Sequence, residues 1–441
     1  MPRKRWQNWN TGKQAINSMV FKLVALMGLA LLEAFTTFMS GCSQESVLKL
    51  KVAVYRLDAI LGDARAQFNL GLCYYAGEGV AKNYREAVKW YCLAAAHGDS
   101  DAQYFLGLHY YSGEGAERDY SEAFKWYNVA AEQGNALAQY KLGLCYYYGE
   151  GITKNMEEAV KWYRMSADQG NSAAQCDLGT CYYNGEGVEP DYREAAKWCR
   201  KAAEQDYVKA QYHLGTLYYN GQGVEQDYKE SVRWLRKAAD QEYPEAQSML
   251  SMCYRRGNGV EQNPKEAVRW LRKAADQGDI AAQYNLGLCY YNGEGVEKDQ
   301  KDAVWWISKA AEQGLAIAQV QLGGLYCGDD VLKKDMQEAI KWFRKAAEQN
   351  NIEAQFQLGL CYYKGEGLPQ DYEEAIKWFQ KAAEQGDADA QLGLGTCYSK
   401  GIGVAQDMKV AIRWFRKAAD QGNEDAQKAL KELEGETVSN Q

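Results

Sequence analysis

The chain has 441 residues, with 51 Lys and Arg against 59 Asp and Glu, which gives a net charge of -8 and a pI near 5.3. That balance does not favour nucleic acid, whose binding needs a basic face, so no nucleic-acid partner is expected. With only 5 Pro, and 42 Gly that sit mostly at fixed intervals, a low-complexity chain is excluded as well.

Residues 1 to 45 stand apart from the rest of the chain. Arg3, Lys4, Arg5, Lys13 and Lys22 precede the apolar run Leu23 to Leu32, in the order of a secretory signal. Glu33 ends the run, which is shorter than the roughly 18 residues of a spanning helix. The stretch Phe38-Met39-Ser40-Gly41-Cys42-Ser43 resembles the lipobox of bacterial lipoproteins. That resemblance implies loss of residues 1–41, lipidation of Cys42, and a chain held on the cell envelope, on the periplasmic side, by more than one acyl chain. Ser43 is compatible with outer-membrane sorting. An uncleaved anchor is the alternative, and twelve cysteines, which suit a reducing compartment, keep a cytoplasmic location open.

Residues 42–65 then read as the lipobox Cys, a short linker and a capping helix, in which Ala59 and Gly62 stand one period before Ala95 and Gly98. From Gln67 to Gln427 a Gln returns every 36 residues, and from Trp90 to Trp414 a Trp returns in step with it. A fixed period decides the architecture, and it overrides a division into about three domains of roughly 150 residues. Residues 66–425 hold ten units, and 426–441 a polar capping helix and tail.

Each unit predicts two helices. In the first, Ala66, Leu70, Cys73 and Tyr74 fall on one face, which is expected to be core. Gly71 recurs in nine units and is Ser251 in the other, so a Cβ is expected to be excluded by a neighbouring helix. Gly77-Glu78-Gly79 breaks the helix. Asn83 and its equivalents predict N-caps, and the acid three residues on resembles a capping box. Ala87, Trp90, Tyr91 and Ala94 form the second apolar face. Gly98 closes the unit as a C-cap, and where Asp206 and Glu242 replace that Gly a different turn is expected.

Leu-Gly-x-x-Tyr in the first helix resembles the tetratricopeptide repeat. The 36-residue period, the Gly-x-Gly turn and a second helix reading AVKWYRKAAEQG make it similar to the Sel-one-like repeat (SLR), a TPR-like subfamily. The resemblance implies an all-α, right-handed α/α superhelical solenoid of ten helix-turn-helix repeats. It implies a non-enzymatic scaffold or adaptor that takes a protein or peptide partner in its concave groove. An envelope enzyme, a beta-lactam-binding SLR protein and a cytoplasmic signalling adaptor are the alternatives. The oligomeric state is left open.

By the tetratricopeptide analogy the concave wall holds Arg65, Phe68, Leu72 and Tyr75 and their equivalents. Tyr75, Tyr111, Tyr147, Tyr183, Tyr219, Tyr291 and Tyr363 then form an aromatic ladder for a partner, broken by Arg255 beside Arg256. Ser248, Ser251, Met252, Arg255 and Arg256 depart together from the repeat, and paired Arg among Tyr suit a carboxylate. A second departure runs through Val320, Gly324, Cys327 and Gly328-Asp329-Asp330. Seven cysteines at the Cys73 position are expected to be buried and unpaired. His97, His109 and His213 have no nucleophile or zinc-type spacing, so no catalytic residue, metal or cofactor is expected.

Overall fold

The computed structural model describes residues 44–328 and 332–439, with side chains placed through Leu433. The Cys42 lipobox and residues 329–331 lie outside these. Among the described residues there are 22 α-helices and no strand. The chain forms two compact units, one ending at Ala202 and the other starting at Ala203.

The first unit opens with α1 (Gln44–Ile60). Its hairpins pair α2 (Ala64–Ala76) with α3 (Tyr84–Ala96), α4 (Ser100–Ser112) with α5 (Tyr120–Glu132), and α6 (Ala136–Tyr148) with α7 (Met156–Asp168). Then come α8 (Ser172–Asn184) and α9 (Tyr192–Glu204), where the boundary falls. The second unit pairs α10 (Val208–Asn220) with α11 (Tyr228–Asp240), α12 (Pro244–Arg256) with α13 (Pro264–Asp276), and α14 (Ile280–Asn292) with α15 (Gln300–Glu312). It continues with α16 (Ala316–Cys327) on α17 (Met336–Glu348), α18 (Ile352–Lys364) on α19 (Tyr372–Glu384), and α20 (Ala388–Lys400) on α21 (Met408–Asp420), then α22 (Glu424–Ser439). Each unit is thus a stack of helical hairpins, the all-α solenoid arrangement.

The expected faces form the core. Leu70 and its nine equivalents are at most 1% exposed, each contributing on the order of 1.5–3 kcal/mol by burial. Clusters cross the repeat boundary: Ala87, Tyr91, Ala94 and Ala95 of one hairpin meet Ala102, Leu106 and Trp126 of the next. No hairpin therefore buries its own core alone. The cause of the helical Gly is a side chain. A Cβ on Gly71 would lie 2.6 Å from the Tyr91 ring, and one on Gly359 would lie 2.6 Å from Phe379. Ser251, the one departure, is 5% exposed, and Leu271 stands at its facing position as Leu235 stands at that of Gly215, so nothing in the structure explains the substitution. The second Gly of Gly-x-Gly has its own reason. Gly79, at φ +69°, seats the turn on the preceding helix, and a Cβ there would lie 2.6 Å from the Leu48 carbonyl oxygen.

Polar residues set the turns and the register. Asn83 accepts from the N–H groups of Arg85 and Glu86 as an N-cap. The acid of the expected capping box turns the other way: Glu86, Glu122 and Glu158 each pair with the Lys three residues on, at 2.5 Å. First helices are capped as well, by Asp63, Asp99, Asn135, Asn171, Asp279, Asn351 and Asp387. The different turn expected at Asp206 and Glu242 does not form. Both keep the left-handed backbone of the Gly they replace, at φ 60° and 63°, and Asn350 joins them at 62°.

The Gln that marks the register is buried. Gln283 is 3% exposed; its Nε2 donates to the Ala275 carbonyl at 3.2 Å, and its Oε1 accepts from Gln313 Nε2 at 2.6 Å. Gln103 with Gln133, and Gln391 with Gln421, repeat this clamp. A buried amide with every bond made costs little, whereas losing one partner would cost about 1–3 kcal/mol. The seven cysteines at the Cys73 position are all buried, and burial raises Cys145 and Cys181 to about 12.

Candidate partner-binding site

The first-helix face presents the Tyr75 ladder, but the rings are tied down. Tyr111 stacks on Tyr120 at 5.2 Å and its hydroxyl donates to Glu150 at 2.9 Å; Tyr147 donates to Glu186 at 2.8 Å. Those carboxylates are the middle residues of the next Gly-x-Gly turns, so the ladder also stitches repeats together. Tyr183, Tyr219 and Tyr363 pack edge-to-face on Tyr192, Tyr228 and Tyr372, at 5.2, 5.1 and 5.3 Å between ring centres. Tyr75 and Tyr111 are 37% and 36% exposed, while Tyr291 is half-buried with Lys298 over its ring. Phe68 is buried against Tyr91 and Phe105, so it serves packing.

Below the ladder a recess recurs between the helices of one hairpin and the first helix of the next. In the first unit it is about 80 Å³, pinched by Tyr147, Tyr148 and Tyr163. In the second unit a recess at Phe356, Tyr363 and Leu392 reaches about 290 Å³. At the departure that the sequence singles out it opens to about 330 Å³. The causes are substitutions within one repeat. Ser248 stands where Tyr212 and Tyr284 stand in the adjoining repeats, and Arg255 where Tyr219 and Tyr291 stand. Met249, Met252, Val268 and Leu271 make an apolar floor. Methionine is deformable and suits a surface that must fit an incoming side chain.

The rim of this pocket is mostly acidic. Glu245, Asp279 and Glu294 line it with Arg255. Ser248 Oγ donates to Asp279 Oδ1 at 3.4 Å, and Asp279 also caps α14 by accepting from Ala282 N–H at 2.6 Å. Arg255 makes no ion pair among the described residues and is exposed. The expected Arg pair does not converge. Arg256 points toward the Tyr219 hydroxyl, at 3.4 Å, beside Asn258 at 2.8 Å. Consecutive helical residues diverge by about 100°, so neighbours in sequence do not share a target. On the floor, Cys289 is pushed up to about 11, by burial first and by Glu294 second, with Arg255 opposing.

The other departure shortens α16, which ends at Cys327 with Gly328 extended. Two of the three histidines make contacts within the stack. His109 is 2% exposed with Nδ1 2.6 Å from the Glu114 carbonyl, and burial holds it below its ordinary value of 6.5. His97 Nδ1 sits 3.0 Å from Gln67 Oε1, closing the first Gln clamp. Among the described residues no His, Cys, Asp and Glu group could hold a metal ion, and no helix is long and apolar enough to cross a membrane.

A model of the Sel1 repeat matches ten times without a gap, at residues 64–99, 100–135, 136–171, 172–207, 208–243, 244–279, 280–315, 316–351, 352–387 and 388–423. No curated protein matches. Among solved structures, a protective antigen of uropathogenic Escherichia coli strains, displaying an SLR fold, is 35% identical, with 87% of this chain and 92% of that chain covered and a TM-score of 0.51. A Sel1 repeat protein from Oxalobacter formigenes is 37% identical, with 70% and 90% covered and a TM-score of 0.57.

Proposed function

The chain belongs to the Sel1 repeat family, and on that footing we propose a non-enzymatic scaffold that is tethered to a bacterial envelope through Cys42 and binds a protein partner along its first-helix face. Such repeats generally serve protein–protein interaction. The observation that carries the reading is the coincidence of a recess of about 330 Å³ with a repeat that departs from its neighbours at Ser248, Met252 and Arg255. Packing accounts for residues common to all repeats, and it gives no reason for Ser248, Met252 and Arg255.

The occupant we propose is an extended segment with one bulky apolar side chain on the floor of Met249, Met252 and Leu271. Basic neighbours would meet Glu245 and Glu294, and Arg255 would donate to a partner carbonyl or carboxylate. Peptide display against the wild type and the Ser248→Tyr variant tests this. Enrichment of apolar-basic sequences that fail to bind the variant supports the site. Equal binding of the same peptides to both proteins places the partner elsewhere. For the tether, intact mass and detergent partitioning are compared between wild type and Cys42→Ala. An unmodified, full-length, soluble wild type would refute envelope attachment and favour a cytoplasmic adaptor.

A further inference from the structure

Exposed apolar side chains gather at the N-terminal end of the first unit. α1 has two apolar sides. Val52 and Ala59 are buried in a cluster with Ala66, Leu70 and Cys73. Facing away, Val54, Leu57 and Ile60 are 47%, 55% and 69% exposed, and Leu61, just past the helix end, is 63% exposed. A terminal helix of a repeat array is expected to turn a polar face outward, and α1 does not. The exposed set continues along the unit, one residue per hairpin. Leu57, Leu93, Val129 and Met165 occupy equivalent positions at 55%, 47%, 40% and 46% exposure. At the next equivalent position the row stops, because Lys201 covers the Trp198 ring at 3.9 Å.

We propose that this row is a lipid-facing surface, which lays the first unit against the bilayer that holds the N-terminal segment; the inference rests on the tether proposed above. Three observations favour lipid over a protein. The side chains are Leu, Ile, Val and Met, without the Trp, Tyr or Arg anchors that centre protein interfaces. The row starts on α1, whose first residue Gln44 is two positions after Cys42, so α1 is the helix nearest in the chain to the proposed anchor. Lys89, Lys125 and Lys161 lie one turn before Leu93, Val129 and Met165, each paired with a Glu three residues earlier. An aliphatic row edged by Lys is the pattern of helices lying in a membrane interface. Contact is deepest at α1 and α3, where Ala96 follows Leu93, and shallower where Glu132 and Asp168 follow Val129 and Met165.

The test uses the intact native protein in vesicles of phosphatidylethanolamine and phosphatidylglycerol, some lipids carrying a diazirine near the headgroup end of one acyl chain. Flotation reads the tether, and peptide mapping after photolysis reads the row. The expected result is flotation with lipid adducts on the peptides holding Leu57, Ile60 and Leu93. Replacing all three by Gln should lower those adducts about tenfold without changing flotation. The melting curve of the triple variant, or of Leu57→Gln alone if the triple variant melts early, establishes that the fold is intact. Flotation without adducts on the row overturns the inference and leaves the tether standing. A dimer of the wild type in detergent that Leu57→Gln dissociates would make the row a self-association surface and overturn it too. Failure to float would refute the tether, and this inference with it.

Discussion

Replacing Ser248 by Tyr returns a departing repeat to the residue of its neighbours Tyr212 and Tyr284, both half-buried. A Tyr side chain offers about 200 Å² for burial. If half of that becomes covered in the 330 Å³ recess, the gain is about 2.5 kcal/mol at 25 cal/mol per Å². Fixing the ring costs about 1 kcal/mol. The Ser248 to Asp279 bond that disappears is long, at 3.4 Å. A net stabilisation of about 1 kcal/mol results, which would raise the melting temperature by roughly 2–4 °C. The ring would also occupy the place of the partner side chain. Binding of a peptide selected on the wild type should therefore weaken at least about tenfold, or 1.4 kcal/mol. Thermal melting and fluorescence anisotropy read the two effects. A destabilised variant would refute the origin of the recess in the loss of this Tyr, and unchanged affinity would refute its role.

Three other outcomes are expected. Trp306 is 6% exposed and packs with Leu286 and Cys289 of the same hairpin, so Trp306→Ala should cost about 3–5 kcal/mol in denaturant unfolding. Burial holds His109 below 6.5, so the unfolded chain takes up its proton first; its contribution is complete above about 6.5 and is lost as pH falls through the depressed folded value. His109→Cys, the residue of the neighbouring repeats, should flatten the stability profile over that acidic window. Among the described cysteines Cys92 is exposed and Cys327 partly so, so a thiol reagent on the folded protein should modify Cys92 first, and Cys92→Ser should remove the fast phase.

Repetition made the fold legible. Leu70 recurs in all ten repeats and Gly71 in nine, so their place in the packed face follows from one unit seen many times, whereas the Tyr91 ring over Gly71 came from the structure. Asn83 is legible because a cap bonds only to its own first turn. Contacts that join distant residues were not legible. In the sequence Gln67 marks only the period, yet its amide meets the Ala59 carbonyl and His97. Tyr111 reads as a free recognition ring, and only the structure brings Glu150 to its hydroxyl. Asp206 and Glu242 conceal their turn because a left-handed backbone is uncommon for residues other than Gly, so nothing in the sequence signals that they keep it. Of the site, Ser248, Met252 and Arg255 were visible as departures. That Arg256 faces Tyr219 and that the acids Glu245 and Glu294 share the rim required coordinates.

The central claim is that a partner occupies the recess of the second unit. A photoreactive phenylalanine analogue at Met252, on the recess floor, tests it in living cells, with the same analogue at Tyr148, 64% exposed in the first unit, for comparison. The expected result is one partner adduct at Met252 that is lost when Ser248→Tyr is added. Adducts at Tyr148 alone, or an adduct at Met252 that survives Ser248→Tyr, would contradict it.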